Sequence, residues 1–255
     1  MLDRRDKVVL SLAAHPDDAE FLCAGTLSLL HERGWCVRIA TVTPGDCGTV
    51  QYSRKEISRI RKGEAAESAA ILDGHYDCLE CDDAFIMYDR PTLLKAIALV
   101  RKVRPTVVIT TSPSDYMVDH EMASKLAQSA CFCCGVVNID TPGGEPFEPI
   151  PYLYYMDPVE GKDKFGTPTV PGIFVDVSGA MATKEQMLCC HESQRNWLLE
   201  HHGMDNYVNM MQESAEARGS QAGLQYAEGF RQHLGHAFPQ DNILKKELGD
   251  LVHTQ

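Results

Sequence analysis

The sequence predicts an α/β protein: a mostly parallel sheet with helices on both faces and an elaborated helical carboxy-terminal region. Three observations predict it. Short β-branched runs alternate with longer helical patterns through the first half of the chain, the pattern that βαβ units leave. Turns rich in His, Asp, Gly and Pro follow the apolar runs, where strands should end. The chain has 255 residues, 44% of them hydrophobic and 24% charged, enough to fill a substantial core and unlike a disordered or collagen-like chain.

Taken in order, Val8 to Ala14 reads as a buried strand and Glu20 to Arg33 as a helix ended by Gly34. Cys36 to Thr43 is a second strand, stopped by Pro44 and Gly45, and Ser53 to Leu72 a long helix stopped near Gly74. A short strand around Tyr76 to Leu79 follows. Pro91 suits the first turn of a helix running to Arg104, and Pro105 prevents its continuation before the strand Thr106 to Thr111. A helix from Glu121 to Cys134 precedes a loop, Thr141 to Pro151, rich in Pro, Gly and Glu. Tyr152 to Met156 and Gly172 to Val177 read as strands, and Thr183 to His201 and Asp205 to Gly219 as helices. The expected organisation is one domain, with a core over about residues 8–140 and a tail over about 141–255.

Charge narrows the partners. The 24 basic and 36 acidic residues leave a net charge of −12, which disfavours nucleic acid and anionic membranes. Met1 to Lys7 carries both signs and the apolar run after it is stopped by His15, so neither a signal peptide nor a membrane span is expected, and a cytoplasmic location is. Among the ten cysteines Cys78 and Cys81 form a CxxC; buried reduced thiols are expected rather than disulfides.

The chemistry concentrates in two segments. Ala14-His15-Pro16-Asp17-Asp18-Ala19-Glu20 lies where the first strand should end and a helix begin, and ligand sites in open α/β sheets lie beyond the carboxyl ends of strands. An imidazole and a carboxylate three residues apart across a sharp turn can reach one divalent cation, with His15 and Asp18 as ligands and Asp17 free as a base. A competing reading is that Asp17 and Glu20 form an aspartate variant of a capping box. The second segment, Ser112 to Glu121, follows the strand Thr106 to Thr111, so His120 can meet His15 and Asp18. Two His and one Asp, with a position left for water, is the pattern of a catalytic zinc site. Asp119 is a candidate to orient a neighbouring ligand.

These residues resemble the LmbE/PIG-L family of zinc-dependent N-acetylglucosaminyl deacetylases. Thr43-Pro44-Gly45-Asp46-Cys47-Gly48 is similar to the family's Thr-x-Gly-acidic-x-Gly loop, and Arg61-Lys62-Gly63-Glu64 to its Arg-x-x-Glu helix. Asp82-Asp83-Ala84-Phe85 resembles its acidic turn; His191 to Gln194 and Tyr226 to Phe230 resemble features of its tail. The resemblance implies a Rossmann-like fold and metal-dependent removal of the N-acetyl group from an N-acetylglucosamine-type sugar or conjugate. By position, His15, Asp18 and His120 match the metal ligands and Asp17 the general base; Asp46, Arg61 and Asp83 match positions near the substrate. Zn2+ is the implied cofactor, with Fe2+ or another divalent metal as alternatives.

One departure matters. Many members have His-Pro-Asp-His where this chain has Met117-Val118-Asp119-His120, and a thioether donates no hydrogen bond to an oxyanion. Tyr116 and His191 are the candidate substitutes. Met117 also keeps open hydrolysis of a different amide at the same site, and a non-enzymatic sugar-binding protein is a third reading, disfavoured by the free base Asp17. The expected partner is a small-molecule sugar; a homo-oligomer formed through apolar tail segments is equally open.

Overall fold

The computed structural model describes residues 7–196 and 206–255. The strands pair into an eight-stranded sheet of order β3-β2-β1-β4-β5-β7-β6-β8. Five strands, β1 (Val8–Ala13), β2 (Cys36–Thr41), β3 (His75–Cys78), β4 (Val107–Thr110) and β5 (Tyr152–Met156), are parallel neighbours. The tail extends the same sheet through antiparallel β6 (Ile173–Asp176), β7 (Ala227–Gln232) and β8 (Val252–Thr254). The architecture is therefore the mostly parallel α/β one.

Alternation along β1 separates two apolar layers. Val9 and Ala13 pack with residues of α1 (Asp18–Leu22), α2 (Ala24–Glu32) and α6 (Met181–Cys189), together with Met211 of α7 (Tyr207–Ala222) and Leu244 of α8 (Ile243–Leu248). Leu10 and Leu12 point the other way, onto α4 (Arg90–Val103) and α5 (Val118–Cys133). The long helix α3 (Arg54–Ala70) starts at a capping box: Ser53 Oγ accepts from Glu56 N, and the Glu56 carboxylate accepts from Ser53 N at 3.0 Å.

Several sequence expectations need correction. The helix expected from Glu20 to Arg33 is broken at Cys23 into α1 and α2. The break exposes amides at the start of α2, and the buried Glu228 carboxylate accepts from Gly25 N (2.9 Å) and Thr26 N (2.8 Å). A Cβ at Gly25 would lie 2.7 Å from Val177 and 3.0 Å from Glu228, so the close approach requires glycine. The tail is not wholly helical, since β7 and β8 lie within it. The helix expected over Thr183 to His201 ends at Cys189; residues 192–196 are helical again, and the remainder, like the expected start at Asp205, lies outside the described residues. All ten cysteines are free, but only Cys23, Cys131 and Cys134 are buried, while Cys36 and Cys47 are exposed. Among the described residues, no helix is long and apolar enough to cross a membrane.

Candidate metal and catalytic centre

With β2 on one side of β1 and β4 on the other, successive connections leave β1 in opposite directions, and a crevice opens at the carboxyl end of the sheet. The loops after β1, β2, β3 and β4 meet there. The turn after β1 is sharp: Asp17 has φ 102°, a left-handed conformation rarely adopted by a residue with a Cβ. It swings Asp18 back, so that Asp18 Oδ2 accepts from Ala14 N (3.1 Å) and His15 N (2.9 Å). Across the crevice, Thr111 Oγ1 donates to His120 O at 2.6 Å, fixing the first turn of α5.

His15, Asp18 and His120 thereby come together, each buried, with one donor atom apiece within 4.8 Å of the others. His15 Nδ1 lies 3.7 Å from Asp18 Oδ2, and His120 Nε2 lies 3.4 Å from Asp18 Oδ1. Ligand atoms bound at 2.0–2.1 Å to a tetrahedral zinc stand about 3.4 Å apart, so these separations suit one ion. The remaining ring nitrogens lie beside carboxylates, the kind of neighbour that fixes tautomer and aim in a metal-binding imidazole. His15 Nε2 is 3.1 Å from Asp83 and 3.4 Å from Asp119, and His120 Nδ1 is 3.1 Å from Asp115. The donor set therefore fits a divalent cation.

The electrostatics agree. Burial alone would lower the pKa of His120, but Asp18 and Asp115 outweigh it and raise it to about 10. Burial acts against His15 too, and Asp119, Asp18 and Asp83 hold it well above the usual imidazole value. Burial pushes the Asp18 carboxyl up, yet His120 and His15 hold it well below the ordinary range. The cluster attracts positive charge, whether protons or a metal ion.

Asp17 stands beside this group and remains partly accessible, with 14% of its side chain exposed. Burial raises its pKa and Asp18 adds to the rise, against Arg61, His191 and Tyr207. Its side chain makes no capping hydrogen bond to α1, and Glu20 instead accepts from Ser68 Oγ at 2.6 Å and faces His191 Nε2 at 3.3 Å, so the capping-box alternative is not realised. Tyr207 Oη donates to Asp17 Oδ2 at 2.6 Å. Arg61 is a buried clamp rather than one charge of a solvated face: its guanidinium donates to Pro16 O (2.8 Å) and Gly45 O (3.2 Å) and lies 3.7 Å from Asp17 Oδ1.

The other singled-out residues divide. Asp83 reaches His15, and its second oxygen accepts from Cys47 N at 3.1 Å; Asp119 accepts from Ala84 N at 2.8 Å. Asp46 accepts from Asp83 N (3.1 Å) and Arg54 Nε (2.9 Å), bracing the loops. Tyr116 is exposed, its ring edge-on to His120 with centroids 5.7 Å apart. His191 is completely buried behind the crevice against Glu20, which removes it as a donor to a bound substrate. Met117 is the residue before α5, its amide donating to Asp115 Oδ1 at 3.1 Å. Sequence reasoning missed Asp115, although it lies within the quoted second segment, and Tyr207, for which no spacing gave a signal.

A family profile described as PIG-L, GlcNAc-PI de-N-acetylase, matches residues 10–131, which include His15, Asp17, Asp18, Arg61, Asp83, Asp115, Asp119 and His120 but not His191 or Tyr207. Diacetylchitobiose deacetylase of Thermococcus kodakarensis is 28% identical over 241 residues, 88% of this chain and 82% of that protein. The 4-oxalmesaconate hydratase of Pseudomonas putida is 24% identical over 198 residues, 74% of this chain and 75% of that protein. Among solved structures, N,N'-diacetylchitobiose deacetylase from Pyrococcus horikoshii shares the fold, with TM-score 0.76 at 24% identity, over 93% of this chain and 88% of that one.

Proposed function

We propose that the chain is a member of the PIG-L (LmbE-like) deacetylase family and a metal-dependent N-deacetylase acting on an uncharged N-acetylglucosamine-type glycan. The observation that carries the reading is the convergence of His15, Asp18 and His120 with Asp17 alongside. His15, Asp18 and His120 would hold the ion, zinc in the first instance. A divalent ion supplies Lewis acidity there, bringing the pKa of water towards ~7 and polarising the acyl oxygen.

The chain's own residues do the rest. Asp17 takes a proton from the attacking water as its oxygen bonds to the acyl carbon. As the carbon–nitrogen bond breaks, Asp17 returns that proton to the leaving amine, and acetate and a free amino sugar are released. Asp119, Asp83 and Asp115 orient the two imidazoles. Arg61 holds the Pro16 and Gly45 carbonyls, and so the spacing between the loops after β1 and β2. With Met117 unable to donate and His191 buried elsewhere, Tyr116 is the side chain proposed to donate to the acyl oxygen.

Charge supports an uncharged substrate. Asp17 borders the crevice beside the buried Arg61, and Asp18, Asp83, Asp115 and Asp119 are buried against the two imidazoles. Of the outer cations, Arg54 pairs with Asp46 and Lys164 with Glu121. A substrate carrying carboxylates, as in the hydratase reading that the Pseudomonas relative raises, would find no unpaired cation in Arg54 or Lys164 at the rim. Tyr52, Phe85, Tyr116 and Phe165 are exposed on loops following β2, β3, β4 and β5, at the same end of the sheet as the metal-binding residues, and offer apolar faces to pyranose rings. The test is metal analysis of the purified protein followed by an acetate-release assay on neutral and anionic N-acetyl sugars. Bound zinc and turnover of neutral chito-oligosaccharides are expected, with Asp17→Ala inactive but metal-loaded. An enzyme that hydrates a carboxylate-bearing alkene and releases no acetate would overturn the proposal.

A further inference from the structure

We infer that Tyr207, brought in by the first turn of the tail helix α7, is a positioning residue for Asp17; the inference rests on the reading of Asp17 as the base. The reasoning starts from the backbone. The left-handed conformation of Asp17 is unfavourable for a residue with a Cβ and persists only when its surroundings hold it there. The turn does not supply that hold through its own helix, because the Asp17 side chain makes no capping bond to α1. Two groups from distant parts of the chain flank the carboxylate instead: the Arg61 guanidinium 3.7 Å from Oδ1 and the Tyr207 hydroxyl 2.6 Å from Oδ2.

These two holds differ in kind. The Arg61 guanidinium is already committed to the carbonyls of Pro16 and Gly45, so it fixes the backbone around Asp17 and contributes to the carboxylate at longer range. The Tyr207 hydroxyl bonds the carboxylate directly and fixes its rotamer. A neutral phenol is a donor to a carboxylate, so the direction of this bond is unambiguous. The ring delivering it is buried in the apolar layer and packs against Phe21 of α1, with centroids 6.2 Å apart. A rigid, packed ring holds its hydroxyl in one place more firmly than a long flexible side chain could. Tyr207 is 190 positions from Asp17 in the chain, so the tail supplies part of the machinery that the first turn begins.

Tyr207→Phe keeps the ring packing and removes the hydroxyl. The expected result is a kcat lowered about ten- to a hundredfold, the effect of losing one hydrogen bond to a charged group, with KM and zinc content unchanged and the melting temperature nearly so. In the Asp17→Asn background the same change should cost nothing further. A crystal structure of Tyr207→Phe should show the Asp17 carboxylate rotated from its wild-type position, a readout that needs no substrate. Unchanged kcat and an unmoved carboxylate would overturn the inference. So would parallel losses of kcat, zinc and melting temperature, which would mark Tyr207 as structural only. An active Asp17→Asn enzyme is a separate result: it removes Asp17 as the base, and the positioning role falls with it.

Discussion

Lys184 is almost wholly buried, and its ammonium meets the Glu228 carboxylate at 2.5 Å while that carboxylate also accepts from Gly25 N and Thr26 N. Replacing Lys184 with Met keeps much of the volume and leaves Glu228 buried without its counter-ion. Breaking a buried pair from one side costs about 3–5 kcal/mol, because the remaining charge is uncompensated. The unfolding entropy of a chain of 255 residues is roughly 0.5 kcal/mol per kelvin near the transition, which converts that cost into a fall in melting temperature of about 6–9 °C. Calorimetry of Lys184→Met checks this. The double variant Lys184→Met/Glu228→Gln should recover part of the loss, since the buried charge is gone and the one amide oxygen still accepts from one of the two α2 amides. A single-variant shift below about 2 °C, or a double variant no more stable than the single, would refute the reasoning.

Gly45 has φ +70°, and a Cβ there would lie within contact distance of the Arg61 guanidinium, so Gly45→Ala should displace the clamp and lower kcat at least about tenfold, measured by acetate release. Stripping divalent ions with a chelator should lower the melting temperature by about 5 °C, the effect of removing an ion present at a hundred times its Kd; zinc should restore it, and His120→Ala should not respond. Asp77 is buried enough to raise its pKa, but Lys102 and Arg38 more than reverse this and hold it below the ordinary carboxylate value. Its stabilising contribution is thus present above the unfolded value near ~3.9 and is lost as pH falls through the folded one, so Asp77→Asn should cost a few tenths of a kcal/mol at neutral pH and progressively less in acid, measured by urea unfolding.

The parallel half of the sheet was legible because its strands are short, rich in β-branched or aromatic residues and separated by helices with clear stops. The convergence of His15, Asp18 and His120 was legible because the ends of the strands carry compact polar segments that local spacing exposes. The rest depends on contacts that no local pattern encodes. β7 contains Glu228, Gly229, Arg231 and Gln232, and reads as polar because its carboxylate serves a buried helix start and Arg231 donates to Ser112 Oγ at 2.8 Å. The break at Cys23 is invisible without that distant carboxylate. Asp17 and Glu20 satisfied a capping pattern in sequence, yet tertiary partners claimed both: Tyr207 for one, Ser68 and His191 for the other. The clamp made by Arg61 was not legible because its two carbonyl partners come from other loops.

The placement of β1 directly against β4 has a consequence for assembly. His15 and Asp18 follow one strand and His120 the other, and Thr110 Oγ1 donates to Leu12 O across the seam at 2.7 Å. The cradle for the ion therefore comes into being only when these two strands have zipped together at the middle of the sheet. An ion seated there would act as a rivet through that seam, closing a loop of roughly a hundred residues whose closure entropy the chain has already met in pairing the strands.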